Sequence, residues 1–296
     1  MRAEKRKKEL AMILVTGATG NVGREVVNLL VSSGEKVVAV TRNPAKAALP
    51  DGAHVVGGDP SHPQTLTPAL RGVDVVFLSP RALGDATAGA ATAELLKLAA
   101  EQGAQRVVLL SAVTVQDGGG EKRFADAFKA VEDEARASGL PWTILRCAEF
   151  ASNTLMWAPQ IRSTGKVKGA YGDGANSTIH ERDIAAVSAL ALVDAAHAGH
   201  IYVLTGPQSL SQRDKVRMIG EAIGREVLWE EISPKLVREA MLAQGLPVEI
   251  PDRLLGYLAS RVGQPGPSST DVEHLLGRPA LTFAEWAAEH AAAFRN

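Results

Sequence analysis

The chain has 296 residues, 46% of them hydrophobic, and its 32 Lys and Arg nearly cancel 33 Asp and Glu to a formal charge of -1. That balance gives the whole chain no electrostatic reason to seek nucleic acid or an anionic membrane, so a small-molecule partner is expected. The single cysteine, Cys147, excludes an internal disulfide, a Cys-cluster zinc site and a redox pair, and fits a reducing, cytoplasmic setting in which it is a small buried hydrophobe.

In chain order, "MRAEKRKKEL" comes first. Its Arg2, Lys5, Arg6, Lys7 and Lys8 lack an apolar stripe, which predicts a solvated, disordered tail over residues 1–11. Strand-like runs then recur as "MILVTG", "EKVVAVTR", "AHVVGGD", "VDVVFLSP", "QRVVLLSA" and "PWTILR". They are short, rich in Val, Ile and Leu, and not strictly alternating, as strands buried on both faces of a parallel sheet are. Between them "VGREVVNLLVSSG", "PQTLTPALRG", "AATAELLKLAAEQG" and "RFADAFKAVEDEARASG" carry helical spacings, and each ends in Gly.

This alternation predicts an α/β fold, a doubly wound parallel sheet of Rossmann type over 12–150. Residues 151–296 read as a smaller, mainly helical substrate lobe above the carboxyl ends of the strands. One helix-strand unit at about 181–205, "RDIAAVSALALVDA" and then "HIYVLTG", returns to the sheet. No run reaches the length of a membrane span, and nothing resembles a secretory signal. Periodicity does not separate helices that could form a homodimer face from those packing inside.

The break in "MILVTGATGNVGREVV" carries three evenly spaced glycines, Gly17, Gly20 and Gly23, between a strand and a helix. Side chains there would block a tight turn, backbone approach to a pyrophosphate, or close helix–sheet packing. The helix N-terminus adds about half a positive charge. Thr19, Gly20, Asn21 and Val22 thus join Gly17 and Gly23 as expected cofactor contacts. No Gly-Lys-Ser/Thr follows, which argues against ATP and for a dinucleotide.

The second strand ends in "VTRNP" rather than an acidic residue. Arg42 beside Thr41 and Asn43 suits a 2′-phosphate, so NADP(H) is the expected cofactor. Asp59 in "GGD" could meet the adenine amino group or could simply cap a loop. Leu78 and Ser79 end the fourth strand and should run beside the pyrophosphate and ribose.

Together "VTGATGNVG", "TRNP", the "GD" after strand three, "SGLPWTILR", "GDGANSTIHERDIA" and the closing "DVEHLLGRPALTFAEWAAEHAAAF" resemble the NmrA-like branch of the atypical short-chain dehydrogenase/reductases, especially its NAD(P)H:quinone oxidoreductase-like members. The resemblance runs from about Met12 to Phe294. It implies NADP(H) across the strand ends and a small substrate between two lobes, in a reductase or in a nucleotide-sensing relative.

The wider superfamily uses Tyr-x-x-x-Lys, where the lysine lowers the phenol's pKa for proton exchange with a carbonyl oxygen. This chain lacks it: Ala125 precedes Lys129 by four, and Tyr171, Tyr202 and Tyr257 are followed at that spacing by Ala175, Gly206 and Arg261. By the resemblance, Ser111 ends the fifth strand where such enzymes place a hydrogen-bonding serine, and Lys129 falls where a ribose contact is made. Neither replaces the phenol unaided; with His180 they are the candidate catalytic groups, Glu149 and Asn153 being further candidate donors near the substrate. Glu149, Phe150 and Asn153 in "LRCAEFASN" follow the sixth strand, where relatives place a loop over the nicotinamide, although Cys147 replaces the usual proline. His180 precedes a helix whose first turn carries Glu181 and Asp183, and is either a local structural group or a substrate contact. His197 and His200 lack further ligand spacing, so no metal is expected.

A missing phenol discriminates among substrates. A simple ketone becomes a strongly basic alkoxide that needs a well-placed acid, whereas a quinone becomes a phenolate whose conjugate acid has a pKa near about 10. The sequence therefore points to an NADPH-dependent oxidoreductase acting on a quinone or a similarly activated acceptor. The alternatives are a non-catalytic NADP-sensing regulator and a biosynthetic reductase, isomerase or dehydratase of an aromatic polyketide-like substrate.

Overall fold

Why the chain folds as a sheet is visible in its first strand. In the computed structural model, which describes residues 10–83, 88–117 and 122–295, strand β1 (Met12–Val15) has Ile13, Leu14 and Val15 fully buried. Successive side chains of a strand point to opposite faces, so this strand is covered on both. The basic stretch from Arg2 to Lys8 lies outside the described residues.

The strands β1, β2 (Lys36–Thr41), β3 (Ala53–Gly57), β4 (Val75–Leu78), β5 (Arg106–Ala112), β6 (Trp142–Cys147) and β9 (Ile201–Leu204) form one seven-stranded parallel sheet in the order β3-β2-β1-β4-β5-β6-β9. Flanking helices include α1 (Asn21–Ser32), α2 (Ala88–Glu101), α4 (Lys122–Ala137) and α6 (Glu181–Val193). The strand order reverses at β1, which pairs with β2 through Ile13↔Val37 and with β4 through Ile13↔Val75. Ligands of open parallel sheets bind beyond the strand C-termini at such a switch point.

One expected helix is absent. "PQTLTPALRG" forms only a 3-10 turn at Pro63–Leu66 followed by loose turns. Pro63 can open a helix, but Pro68 lacks the N–H that a second turn requires.

The chain divides into two compact units. One takes the chain up to Leu110 with Val131–Ile144 and Ser188–His200; the other takes Ser111–Ala130, Leu145–Val187 and the chain from Ile201. The first has a core of strand residues such as Leu14, Val38, Val76 and Leu109, packed with Leu95 and Leu96 of α2. Burial of each such side chain contributes about 1.5–3 kcal/mol.

The second unit is not wholly helical outside α6 and β9. It also carries two small ladders, β7 (Lys166–Gly169) parallel to β11 (Leu228–Glu231), and β8 (Ala175–Asn176) antiparallel to β10 (Leu210–Ser211). Gly169 makes the first possible, because a Cβ there would lie 2.2 Å from the ring of Trp229. Its core gathers Ile161, Val167 and Trp286 with Phe283 and Phe294. Helices α3 (Thr114–Asp117), α5 (Ala158–Thr164), α7 (Gln212–Ile223), α8 (Pro234–Ala243) and α9 (Glu249–Ser260) belong to this unit, as do α10 (Asp271–Leu276), α11 (Phe283–Glu289) and α12 (Ala291–Phe294). Among the described residues no helix is long and apolar enough to cross a membrane.

Candidate functional site

The turn after β1 is fixed to β4 before any ligand is considered. Thr16 is fully buried; its hydroxyl donates to the Phe77 carbonyl at 3.0 Å and accepts from the Ser79 amide at 2.9 Å. Ser79 thus stands beside the glycine turn.

Two glycines of the turn, Gly17 and Gly23, are each required for a reason of their own. Gly17 has φ +64°, and a Cβ on it would sit 3.1 Å from Ser79 Cβ. The Gly20 amide closes the turn onto the Gly17 carbonyl at 2.9 Å. A Cβ on Gly23 would come within 2.1 Å of that carbonyl oxygen, so only glycine lets α1 begin so close to the turn. Thr19, Gly20 and Asn21 are exposed, while Val22 and Gly23 are buried.

Gly20 is the N-cap of α1 and supplies no side-chain cap. The first amides of a helix have no intrahelical partner, and an anion can satisfy them. A cradle that side chains would fill, ending in an uncapped helix, fits the pyrophosphate of a dinucleotide.

Arg42 follows β2 and is exposed, without a hydrogen bond or ion pair to the described residues. Its loop is anchored nearby: the Thr41 hydroxyl accepts from the Asn43 amide at 3.2 Å, and the Arg24 guanidinium of α1 donates to the carbonyls of Ala47 and Ala48. Sequence reasoning passed over Arg24, and its place just after the third glycine was the only signal.

Asp59 organises its own turn. Its Oδ1 accepts from the Ser61 hydroxyl at 2.7 Å and the Ser61 amide at 3.0 Å, with His62 Nδ1 3.4 Å from Oδ2. The Ser61 hydroxyl bond, with smaller help from His62, holds the carboxyl below its ordinary range despite partial burial. Of the two readings of Asp59, this geometry favours the loop cap.

In the second unit Ser111 is buried at the end of β5 and Lys129 is exposed on α4. The loop after β6 is zipped to residues 178–180: the Ile179 amide donates to the Glu149 carbonyl at 2.8 Å, and the Ala151 amide to the Ile179 carbonyl at 2.9 Å. Phe150 is half-buried and Asn153 exposed. Glu181 Oε1 accepts from the Ser152 amide at 2.7 Å, and Asp183 accepts from Arg278 and from the Leu281 amide, both at 2.7 Å. The acidic first turn of α6 is therefore an anchor for neighbouring segments.

The Glu149 carboxylate is the centre of a network that the sequence did not disclose. Its Oε2 accepts from Lys215 Nζ at 2.8 Å, and from Asn176 Nδ2 and Thr178 Oγ1 at 3.3 Å each. Lys215 is fully buried, 5.9 Å from the centroid of the Trp157 ring. A cation in such a place needs a partner. Asn176 and Thr178 lie in the quoted "GANSTIH", but Lys215 sits in a capped helix start, "SQRDK", that reads as surface.

His180 is 3% exposed. Its Nδ1 accepts from the Arg182 amide at 3.2 Å, which puts the proton on Nε2, 3.4 Å from Glu289 Oε2 but without hydrogen-bond alignment. Burial lowers its pKa, against the opposing pull of Glu181, Glu289 and Asp183. Of the two readings of His180, these contacts favour the structural one. Cys147 is buried, and burial alone pushes its thiol far above the ordinary range, leaving an inert small hydrophobe. Among the described residues no group of three or more His, Cys, Asp or Glu could hold a metal.

Comparison with known proteins adds a second line of observation. A family model described as NAD(P)H-binding matches residues 17–195. The chain is 37% identical over 286 residues to the (4-alkanoyl-5-oxo-2,5-dihydrofuran-3-yl)methyl phosphate reductase of Streptomyces griseus, covering 96% of this chain and 99% of that one. It is 35% identical to the NAD(P)H azoreductase of Xenophilus azovorans, with the same coverage. Among solved structures, the NADPH-dependent quinone oxidoreductase QOR2 of Escherichia coli, complexed with NADPH, superposes with a TM-score of 0.80 at 28% identity, covering 94% of this chain and 99% of that one.

Proposed function

Because the chain belongs to the NAD(P)H-binding family, we propose that it draws hydride from NADPH and delivers it to a quinone or a similarly activated small-molecule acceptor. An NAD(P)H-dependent oxidoreductase is what its relatives make it; the coenzyme preference and the acceptor are our reading. The observation that carries it is a pairing: the chain keeps a glycine cradle for a dinucleotide yet has no Tyr-x-x-x-Lys pair to protonate an alkoxide.

When bound, NADPH supplies the hydride. The glycine cradle and the uncapped amides at the start of α1 would hold the pyrophosphate, and the guanidinium of Arg42 would meet the 2′-phosphate. Glu149, Phe150 and Asn153 contact the acceptor, with Ser111 and Lys129 as further hydrogen-bond donors. His180 is a positioning residue: it orders the start of α6, whose Glu181 holds the Ser152 amide of the acceptor loop. A quinone leaves as a phenolate, which water or a weak donor can protonate, so orientation rather than acid catalysis has to supply most of the rate.

The relatives' named substrates support this reading. A quinone, an azo compound and an alkanoyl-substituted oxo-dihydrofuran are all electron-poor acceptors, and none is a simple ketone. The test follows NADPH absorbance with quinones, azo dyes and unactivated ketones. Turnover of the activated acceptors alone is expected. Equal reduction of simple ketones would overturn the reading, and NADPH binding without turnover of any acceptor would make the protein a dinucleotide-sensing regulator.

A further inference from the structure

Glu149 is held asymmetrically. Three donors converge on Oε2: Lys215 Nζ at 2.8 Å, and Asn176 Nδ2 and Thr178 Oγ1 at 3.3 Å. Oε1 accepts none from the described residues, and the side chain keeps 15% of its surface exposed.

The donors cannot easily exchange roles. Lysine has no acceptor, and the Tyr257 hydroxyl donates to Asn176 Oδ1 at 3.4 Å, which turns Nδ2 toward Glu149. The backbone on either side is equally constrained, since Glu149 and Ala151 both bond to Ile179. A carboxylate fixed in this way presents one oxygen, in one direction, as an acceptor already stripped of most of its water. Pre-organised acceptors of this kind favour a ligand that brings an O–H or N–H and penalise one that brings only a lone pair.

We propose that Glu149 is a specificity residue that selects acceptors carrying a hydrogen-bond donor, a hydroxyl or an amino group, beside the reducible unit. The inference deepens the acceptor assignment and rests on it.

The network itself supplies the decisive substitution. In Glu149→Gln the donors of Lys215 and Asn176 still demand an oxygen, so the new amide turns its oxygen toward them and its NH2 group outward. The presented atom changes from acceptor to donor while shape is kept. Substitution of a merely structural residue would lower stability without abolishing the preference between ligands.

The experiment compares 2-(hydroxymethyl)-1,4-naphthoquinone with its methyl ether as oxidants of NADPH, reading kcat/KM for each. Calorimetry with 2-(hydroxymethyl)naphthalene and its methyl ether, which cannot be reduced, reads binding alone. The natural protein is expected to favour the hydroxymethyl member of each pair by about tenfold. Glu149→Gln should bring that ratio to about one, chiefly because the ether improves.

The paired change Glu149→Leu with Lys215→Met removes both charges together and guards against misfolding. There the ratio should also fall to about one, with no gain for the ether. A tenfold preference that survives in both variants, or equal treatment of the two compounds by the natural protein, overturns the inference and leaves the reductase reading intact. Failure of either quinone to oxidise NADPH, with the naphthalene preference present and sensitive to Glu149→Gln, overturns the reductase reading instead and leaves the selectivity of Glu149 standing.

Discussion

The glycine turn and the Glu149 network place their polar groups by opposite means. In the turn, bare backbone from Gly17 to Gly23 makes the site, and every requirement lies within a few residues of sequence. In the network, a carboxylate after β6 meets a lysine on α7 that is 66 positions away, with Asn176 and Thr178 between them in the chain. An added atom crowds the turn, whereas an unmatched charge destabilises the network. Different kinds of substitution should therefore break them.

The largest effect is expected where charge balance is broken. Lys215→Met leaves the mostly buried carboxylate of Glu149 without its cation and should cost about 3 kcal/mol or more in chemical denaturation. Adding Glu149→Leu to it should restore most of that loss, because an apolar pair of similar volume needs no desolvated charges. If the double variant is no more stable than the single one, the carboxylate and the ammonium are not coupled as the 2.8 Å contact implies.

Next comes the turn. Gly23→Ala places a methyl 2.1 Å from the Gly17 oxygen, so the turn or α1 has to shift, an overpacking of about 1–3 kcal/mol. NADPH affinity by calorimetry should fall by about 100-fold while circular dichroism still reports a folded chain. Retained affinity would mean that the cofactor does not use this cradle.

These two sites also differ in how far the sequence disclosed them. The turn was legible because glycine is a statement about backbone, and the strand before it and the helix after it were written in apolar spacing. The seven-stranded sheet was legible for the same reason. Lys215 was not, because a lysine in the first turn of an amphipathic helix reads as solvated, and its burial depends on a loop that the chain supplies much earlier. The 3-10 turn at Pro63–Leu66 was missed by giving apolar spacing more weight than two prolines. Of the small ladders of the second unit, the antiparallel one escaped notice because β8 and β10 are two residues long, too short to show any period.

A smaller effect concerns coenzyme choice within the turn's own unit. Arg42 is exposed and makes no pair with the described residues, so its replacement should change recognition without changing the fold. Arg42→Asp should lower the preference for NADPH over NADH by about tenfold or more, through loss of the phosphate contact and repulsion of the 2′-phosphate. An unchanged ratio of the two kcat/KM values would take Arg42 out of the 2′-phosphate site.

The smallest effect is a pH dependence in the second unit, and its direction tests whether His180 is a structural group. Burial is the main cause of its lowered pKa, and the nearby carboxylates of Glu181, Glu289 and Asp183 only partly offset it. In the unfolded chain the imidazole titrates near about 6.5. Below that pH the unfolded chain takes up a proton that the folded protein refuses until the pH reaches its lower value. The stability tied to neutral His180 is thus fully present above about pH 6.5 and is lost as pH falls through the interval between the two values. His180→Asn keeps an acceptor for the Arg182 amide and has nothing to titrate. Between pH 7.5 and 5.5 the Tm of the natural protein should fall by at most a few degrees more than that of the variant. A natural protein that gains on the variant over this interval would show the carboxylates outweighing burial, with a charged His180 paired to Glu289 in the folded state.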